Sequence, residues 1–467
     1  MRKFIIFLIL ALSVLIHAPS LTWSYHLDDL DNFYSISSQK NFSDTINYIL
    51  SPGDGHFIPF LRILYLFCFR NFWLDPFFFH SMTLLALLLS GFLLFKMVER
   101  LSRSFAVGIF AAALFLWSTS YLRCLETSFA HFILSLPFVL GVLYAFLRYQ
   151  ETRRWPWILL ASVLAFLAPL ISAMGVLTGL WLVLFSWLCL PKKENILKKM
   201  KLAAFPLLLW LAGVVIFLMK VCPGLSPSDP GLYFQNAVVL TAKSLWIYIL
   251  PSLGGVASFA LLTVLFLTVI GIIDRKEISW RYVCFFLLWI IGNYLYIYFG
   301  RGKWGMRLLY SQHYGFYAFV GFVSVFSFFL TQLIKRGLAI LEKKRILQFL
   351  LVPIVIVYVF FQYSVAVQAS QGRKSLLILG QQTTTALKDY GAQRNSEKIF
   401  LKDALISYPV LYPYARPVSY FTAFLLPTEL QGRIYWAPET EKSFLDFLEK
   451  EKTQYPEWYD LFHSGKL

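Results

Sequence analysis

The chain has 467 residues, of which 58% are hydrophobic and 14% charged, with a mean hydropathy of +0.64 and a net charge of +17. A soluble domain carries roughly a quarter charged residues, so this composition excludes one. Nucleic acid is excluded as a partner by where the charge sits, as the loop count below shows.

Apolar runs near the length that crosses a bilayer recur along the first 366 residues. They predict eleven spans, at 4–21, 77–97, 105–119, 130–147, 157–172, 175–190, 202–219, 255–273, 282–299, 312–333 and 347–366. The first follows Arg2-Lys3. It reads as a retained signal anchor instead of a cleaved signal peptide, because His17-Ala18-Pro19-Ser20 is a poor cleavage site. With the N-terminus inside, the loops on the cytoplasmic side hold 21 Lys/Arg and six acids, whereas the outer loops carry nine bases and eight acids. The excess is the positive-inside signal. Eleven crossings put the C-terminus outside.

The first outer loop, 24–76, opens on "YHLDDLDNFY", residues 25–34. Asp28, Asp29 and Asp31 there are either a solvated helix start or a reaction centre, in which adjacent carboxylates tune one another as a general base. Ser43-Asp44-Thr45 predicts a capped helix from Thr45 to Leu50. Ser51-Pro52-Gly53-Asp54-Gly55 is a turn. The stretch from His56 to Trp73 is apolar but carries Arg62 and Arg70, and it reads as a helix lying at the interface.

In the second outer segment, 118–129, Glu126 is the only acid. The fourth outer segment, "RGKWGMRLLYSQHY", carries Arg301, Lys303, Arg307 and then His313. Cations placed where the positive-inside rule disfavours them are either headgroup anchors or a clamp for a lipid-borne phosphate. His80 and His131 read as structural. Asp54-x-His56 offers two metal ligands without an HxxxH or CxxC to complete a site, so a divalent cation is left open and no other cofactor is indicated. Five irregularly spaced cysteines give no disulfide framework or zinc site, with one Cys124–Cys222 pairing open. The last hundred residues, 367–467, read as a small outer α/β domain. Its strands are "KIFL" and "RIYWA", and its amphipathic helix runs from Glu439 to Lys452.

One first span, a long outer loop opening on an acidic pair, and "GHFIPFLRILY" soon afterwards together resemble the GT-C superfamily of integral-membrane glycosyltransferases. The resemblance is strongest to its bacterial protein-mannosyltransferase-like and aminoarabinose-transferase-like branch. "GMRLLYSQHY" is similar to the arginine-rich stretch that many members carry before a late helix. The resemblance covers the transmembrane residues, 1–366. "PLISAMGVLTG" departs from it, having no acid where many relatives carry one.

The fold class implied is an all-α polytopic membrane protein with a small C-terminal extracytoplasmic α/β domain. The activity implied is transfer of a sugar, with inversion, from a polyprenyl-phosphate donor to an outer lipid, glycan or protein acceptor. In that scheme Asp28 is the base and Asp29 its support. Arg301, Lys303 and Arg307 hold phosphate, while His56, Arg62, Glu126 and His313 line the cleft. The setting expected is a bacterial cytoplasmic (inner) membrane. Rival readings are a transporter or lipid-linked glycan flippase, and an O-antigen-ligase-type polymer transferase. Transporters place charges near mid-membrane, often in matching halves, and neither pattern is visible here.

Overall fold

The computed structural model describes residues 2–23, 41–52, 57–72, 77–119, 121–189, 196–221, 237–241, 280–301, 315–341 and 356–368, with Asn32, Ile36, Gln39 and Gln235 between them. Among these residues every regular element is helical. That follows from the solvent. In lipid a backbone must satisfy its own hydrogen bonds, and a helix does so within one segment.

In chain order the helices are α1 (Arg2–His17), α2 (Phe42–Leu50), α3 (Pro59–Phe72), α4 (Phe77–Ser102), α5 (Phe105–Trp117), α6 (Ala130–Thr152), α7 (Trp155–Ile171), α8 (Thr178–Leu188), α9 (Ile196–Val221), α10 (Trp280–Arg301), α11 (Phe316–Leu341) and α12 (Ile356–Gln368). Five apolar stretches reach membrane-crossing length: Arg2–Leu21, Phe77–Ser102, Ala130–Thr152, Lys201–Val221 and Arg281–Phe299. Over the described residues the protein is an all-α polytopic membrane protein. Helices cover all or part of each expected span except 255–273, which lies outside the described residues, as do the expected α/β tail and Cys222.

The chain divides into two compact units. One comprises Met1–Leu21, Ser51–Leu61 and His80–Gln368; the other comprises Thr22–Leu50, Arg62–Phe79 and Ala369–Leu467.

The first unit is the helical bundle. Small residues set its closest approaches, as membrane helix packing favours. α9 meets α7 at Gly213, where a Cβ would lie 2.4 Å from the Phe166 carbonyl oxygen. α10 meets α8 at Gly292, where a Cβ would lie 2.5 Å from the Trp181 ring. Trp181 and Trp289 lie 4.9 Å apart, and Phe185 and Phe285 5.5 Å apart, so α8 and α10 run antiparallel. Between α7 and α8 the chain makes a 3-10 turn, Ala173–Leu177, capped by Ser172 Oγ, which accepts from Met174 N. That turn is the segment where "PLISAMGVLTG" departs from the GT-C pattern.

In the second unit, α2 is longer than the sequence predicts. It starts at Phe42 because Asn41 Oδ1 accepts from Asp44 N at 2.9 Å, so Asn41 and not Ser43 is the cap. α3 begins at Pro59, whose fixed φ suits a first helical position, instead of at His56. Aromatic rings pack the second unit, with Phe72 stacked on Phe78 at 4.6 Å and Tyr65 against Phe79 at 5.0 Å.

Candidate functional site

One end of the bundle is lined by buried, uncharged polar groups. It holds the C-terminal ends of α1 and α5 and the N-terminal ends of α6 and α11. His17 is fully buried, and its Nε2 lies 2.8 Å from the Leu116 carbonyl. A carbonyl only accepts, so Nε2 carries the proton. Trp117 Nε1 donates back to Ile9 O at 3.2 Å, and Ser20 Oγ donates to His17 O at 2.7 Å. These bonds tie the exit of α1 to the C-terminal end of α5, which leads into segment 118–129.

Tyr121 donates to Phe115 O and packs beside the His17 ring at 6.0 Å. Burial holds its phenol well above the usual range, so it stays a neutral donor. Thr119 donates through both N (2.9 Å) and Oγ1 (2.7 Å) to Gln362 Oε1 on α12. Ser135 Oγ lies 2.7 Å from the Tyr317 hydroxyl, and Trp289 Nε1 donates to Tyr317 O at 2.6 Å. Segment 118–129 is thus fastened to α1, α5 and α12, and it presents Glu126 between two 3-10 turns, Leu122–Leu125 and Thr127–Phe129. Glu126 is half-buried.

The second unit places Arg62 on α3 with 8% of its surface exposed. Its Nη1 donates to Tyr48 O, and its guanidinium lies 5.2 Å from the centre of the Tyr48 ring. Tyr48 OH donates to Asn32 Oδ1 at 3.1 Å. Thr45 Oγ1 donates to Gln39 Oε1 at 2.8 Å, and Arg70 reaches Thr45 Oγ1 at 3.3 Å. Arg62 is therefore a positioned cation fixed through α2, because a buried charge needs acceptors and Tyr48 supplies one. Burial pushes the Cys68 thiol, also on α3, up to about 12, which leaves it a poor nucleophile.

Of the residues singled out in the sequence, Arg62 and Glu126 are described in full. Arg301 ends α10 and is described by its backbone. Asp28, Asp29, His56, Lys303, Arg307 and His313 lie outside the described residues. His80 and His131 are buried, at 1% and 5% exposure. Among the described residues no cluster of three His, Cys, Asp or Glu side chains is arranged to hold a metal. Sequence reading missed His17, Tyr121 and Gln362. The available signal was a polar residue within or just beyond an apolar run, weak because most such residues hydrogen-bond to the bundle and do nothing else.

No family model matches the chain, and no curated protein matches it. Among solved structures it is similar to the archaeal oligosaccharyltransferase AglB from Archaeoglobus fulgidus, determined in complex with an inhibitory peptide and a dolichol-phosphate. The TM-score is 0.47 at 12% sequence identity, over 79% of this chain and 56% of that one. The chain thus spans little more than half the length of that protein.

Proposed function

We propose that the protein is an inverting glycosyltransferase of the GT-C type, working at the outer face of a bacterial cytoplasmic membrane. One observation carries the reading. Arg2–Leu21 is 20 residues long, about 30 Å at 1.5 Å per residue, enough to cross the apolar core. Asp28-Asp29 therefore follows within a few residues of the chain's emergence, where an acceptor from the aqueous side and a donor from the lipid side would meet.

The chemistry is a displacement at the anomeric carbon. The acceptor hydroxyl oxygen forms the new glycosidic bond while its proton passes to the Asp28 carboxylate. The bond from the anomeric carbon to the phosphate oxygen breaks, and the polyprenyl phosphate leaves with the electron pair. Phosphate is a weak base and needs cations more than a proton donor, which is the role of Arg301, Lys303 and Arg307. Asp29 tunes Asp28. Glu126, Arg62, His56 and His313 line the cleft. The acceptor is an outer lipid, glycan or protein.

The test is transfer activity in membranes supplied with a panel of polyprenyl-phosphate sugars. Asp28→Asn keeps the shape and removes the base, so turnover should fall by about 100- to 10,000-fold with donor binding retained. Asp31→Asn should be mild. Arg307→Lys should weaken donor use, because a point charge replaces a bidentate fork. Near wild-type turnover in Asp28→Asn would refute the catalytic assignment.

A further inference from the structure

At the opposite end of the bundle, two turns lie side by side. Arg103 closes α4 and Arg153 closes α6. The Arg100–Glu151 ion pair joins the two helices just before these turns, and Arg148 adds a second bond to Glu151 at 2.8 Å. Both turn arginines have φ of 53°, and they are the non-glycine residues with positive φ among those described. Only roughly a few per cent of non-glycine residues adopt this conformation, and after a helix the position normally goes to glycine or asparagine. The backbone bonds are those of a helix terminus, with Arg153 N donating to Tyr149 O at 2.7 Å and Ser104 N to Glu99 O at 3.2 Å. The fold calls for a left-handed residue here, and the sequence supplies arginine twice.

Among the described residues, basic side chains outnumber acidic ones at this end. The acids at this end among the described residues, Glu99 and Glu151, are engaged by Lys96, Arg100 and Arg148. Arg103, Arg153 and Arg154 are further cations, all exposed, with Arg2 and Lys3 exposed nearby and Arg2 lying 5.0 Å from the Phe105 ring. Trp155, next to Arg154, is 69% exposed. An exposed tryptophan at a helix end sits at headgroup depth. α4 and α6, at 26 and 23 residues, are long enough to carry their last turns past the apolar core.

We propose that Arg103, Arg153 and Arg154 form a binding site for the phosphate of an anionic phospholipid headgroup in the leaflet on this side. Arginine forks match phosphate oxygens, and the Arg100–Glu151 pair sets the two turns that carry these arginines at the same end of the bundle. A purely topological role for the same charges would give no preference for an anionic lipid once the protein is folded and out of the membrane. The proposal is independent of the glycosyltransferase reading.

The test uses the purified full chain in neutral detergent and follows thermal unfolding with added phosphatidylglycerol, phosphatidylcholine or inorganic phosphate. Phosphatidylglycerol near saturation should raise the midpoint by about 2–3 °C, an effect that weakens at high salt. Phosphatidylcholine and inorganic phosphate should do little. The double variant Arg103→Gly, Arg153→Gly suits the left-handed backbone, so it should fold and lose most of the shift. Should it fail to fold, Arg103→Asn, Arg153→Asn serves the same purpose, since asparagine also tolerates that conformation. An undiminished shift in the folded variant, an equal response to phosphatidylcholine, or an equal response to inorganic phosphate alone would each overturn the proposal.

Discussion

The two ends of the bundle handle polarity in opposite ways. At the Arg100–Glu151 end the polar groups are charged, paired and partly exposed, with side-chain exposures from 23% to 35%. At the His17–Tyr121 end they are neutral, buried and bonded mostly to backbone carbonyls. Rigidity belongs to the neutral end. Exposed ion pairs contribute little and shift with salt, whereas a buried donor that loses its acceptor costs its full desolvation. The neutral end holds segment 118–129 and the exit of α1 in place, and these lead to Glu126 and to the acidic pair.

That contrast makes ordered predictions for thermal stability in detergent. His17→Ala should be the most costly, about 2–4 kcal/mol, because it opens a cavity at a fully buried site and leaves Leu116 O without its donor. A cost no larger than that of a surface change would break the contrast. Tyr317→Phe should cost about 1 kcal/mol. It removes one hydrogen bond with little change in volume, and Ser135 Oγ retains its bond to Phe132 O at 3.1 Å. Glu151→Gln should be the mildest, below about 1 kcal/mol, and its effect should vanish in high salt. A large, salt-independent loss there would mean that the charged end also carries rigidity.

The helices were legible from hydropathy because membrane-crossing length leaves few alternatives. Their ends were less so. α4 runs to Ser102, past the predicted 97, since Lys96, Glu99 and Arg100 extend the helix beyond its apolar stretch and pair there. The start of α2 was misread because Ser43 and Asn41 are both good caps, and only the Asn41–Asp44 bond decides between them. Among the candidate residues, Arg62 and Glu126 stand out in the sequence as charges in apolar surroundings. The belt of His17, Tyr121, Ser135 and Gln362 did not, because its partners are backbone carbonyls or residues far along the chain, such as Thr119 with Gln362. Sequence spacing carries no trace of such pairs.

On the proposed reading, the His17–Tyr121 end of the bundle faces out and the Arg100–Glu151 end faces the cytoplasm. This orientation is tested most directly by impermeant thiol labelling of the full chain, with its own cysteines replaced, in intact cells. Ser43, on α2, and Arg154, after α6, are both exposed and serve as the two positions. Ser43→Cys should label in intact cells, and Arg154→Cys only after permeabilisation. The reverse pattern would put Asp28 on the cytoplasmic side and contradict the account.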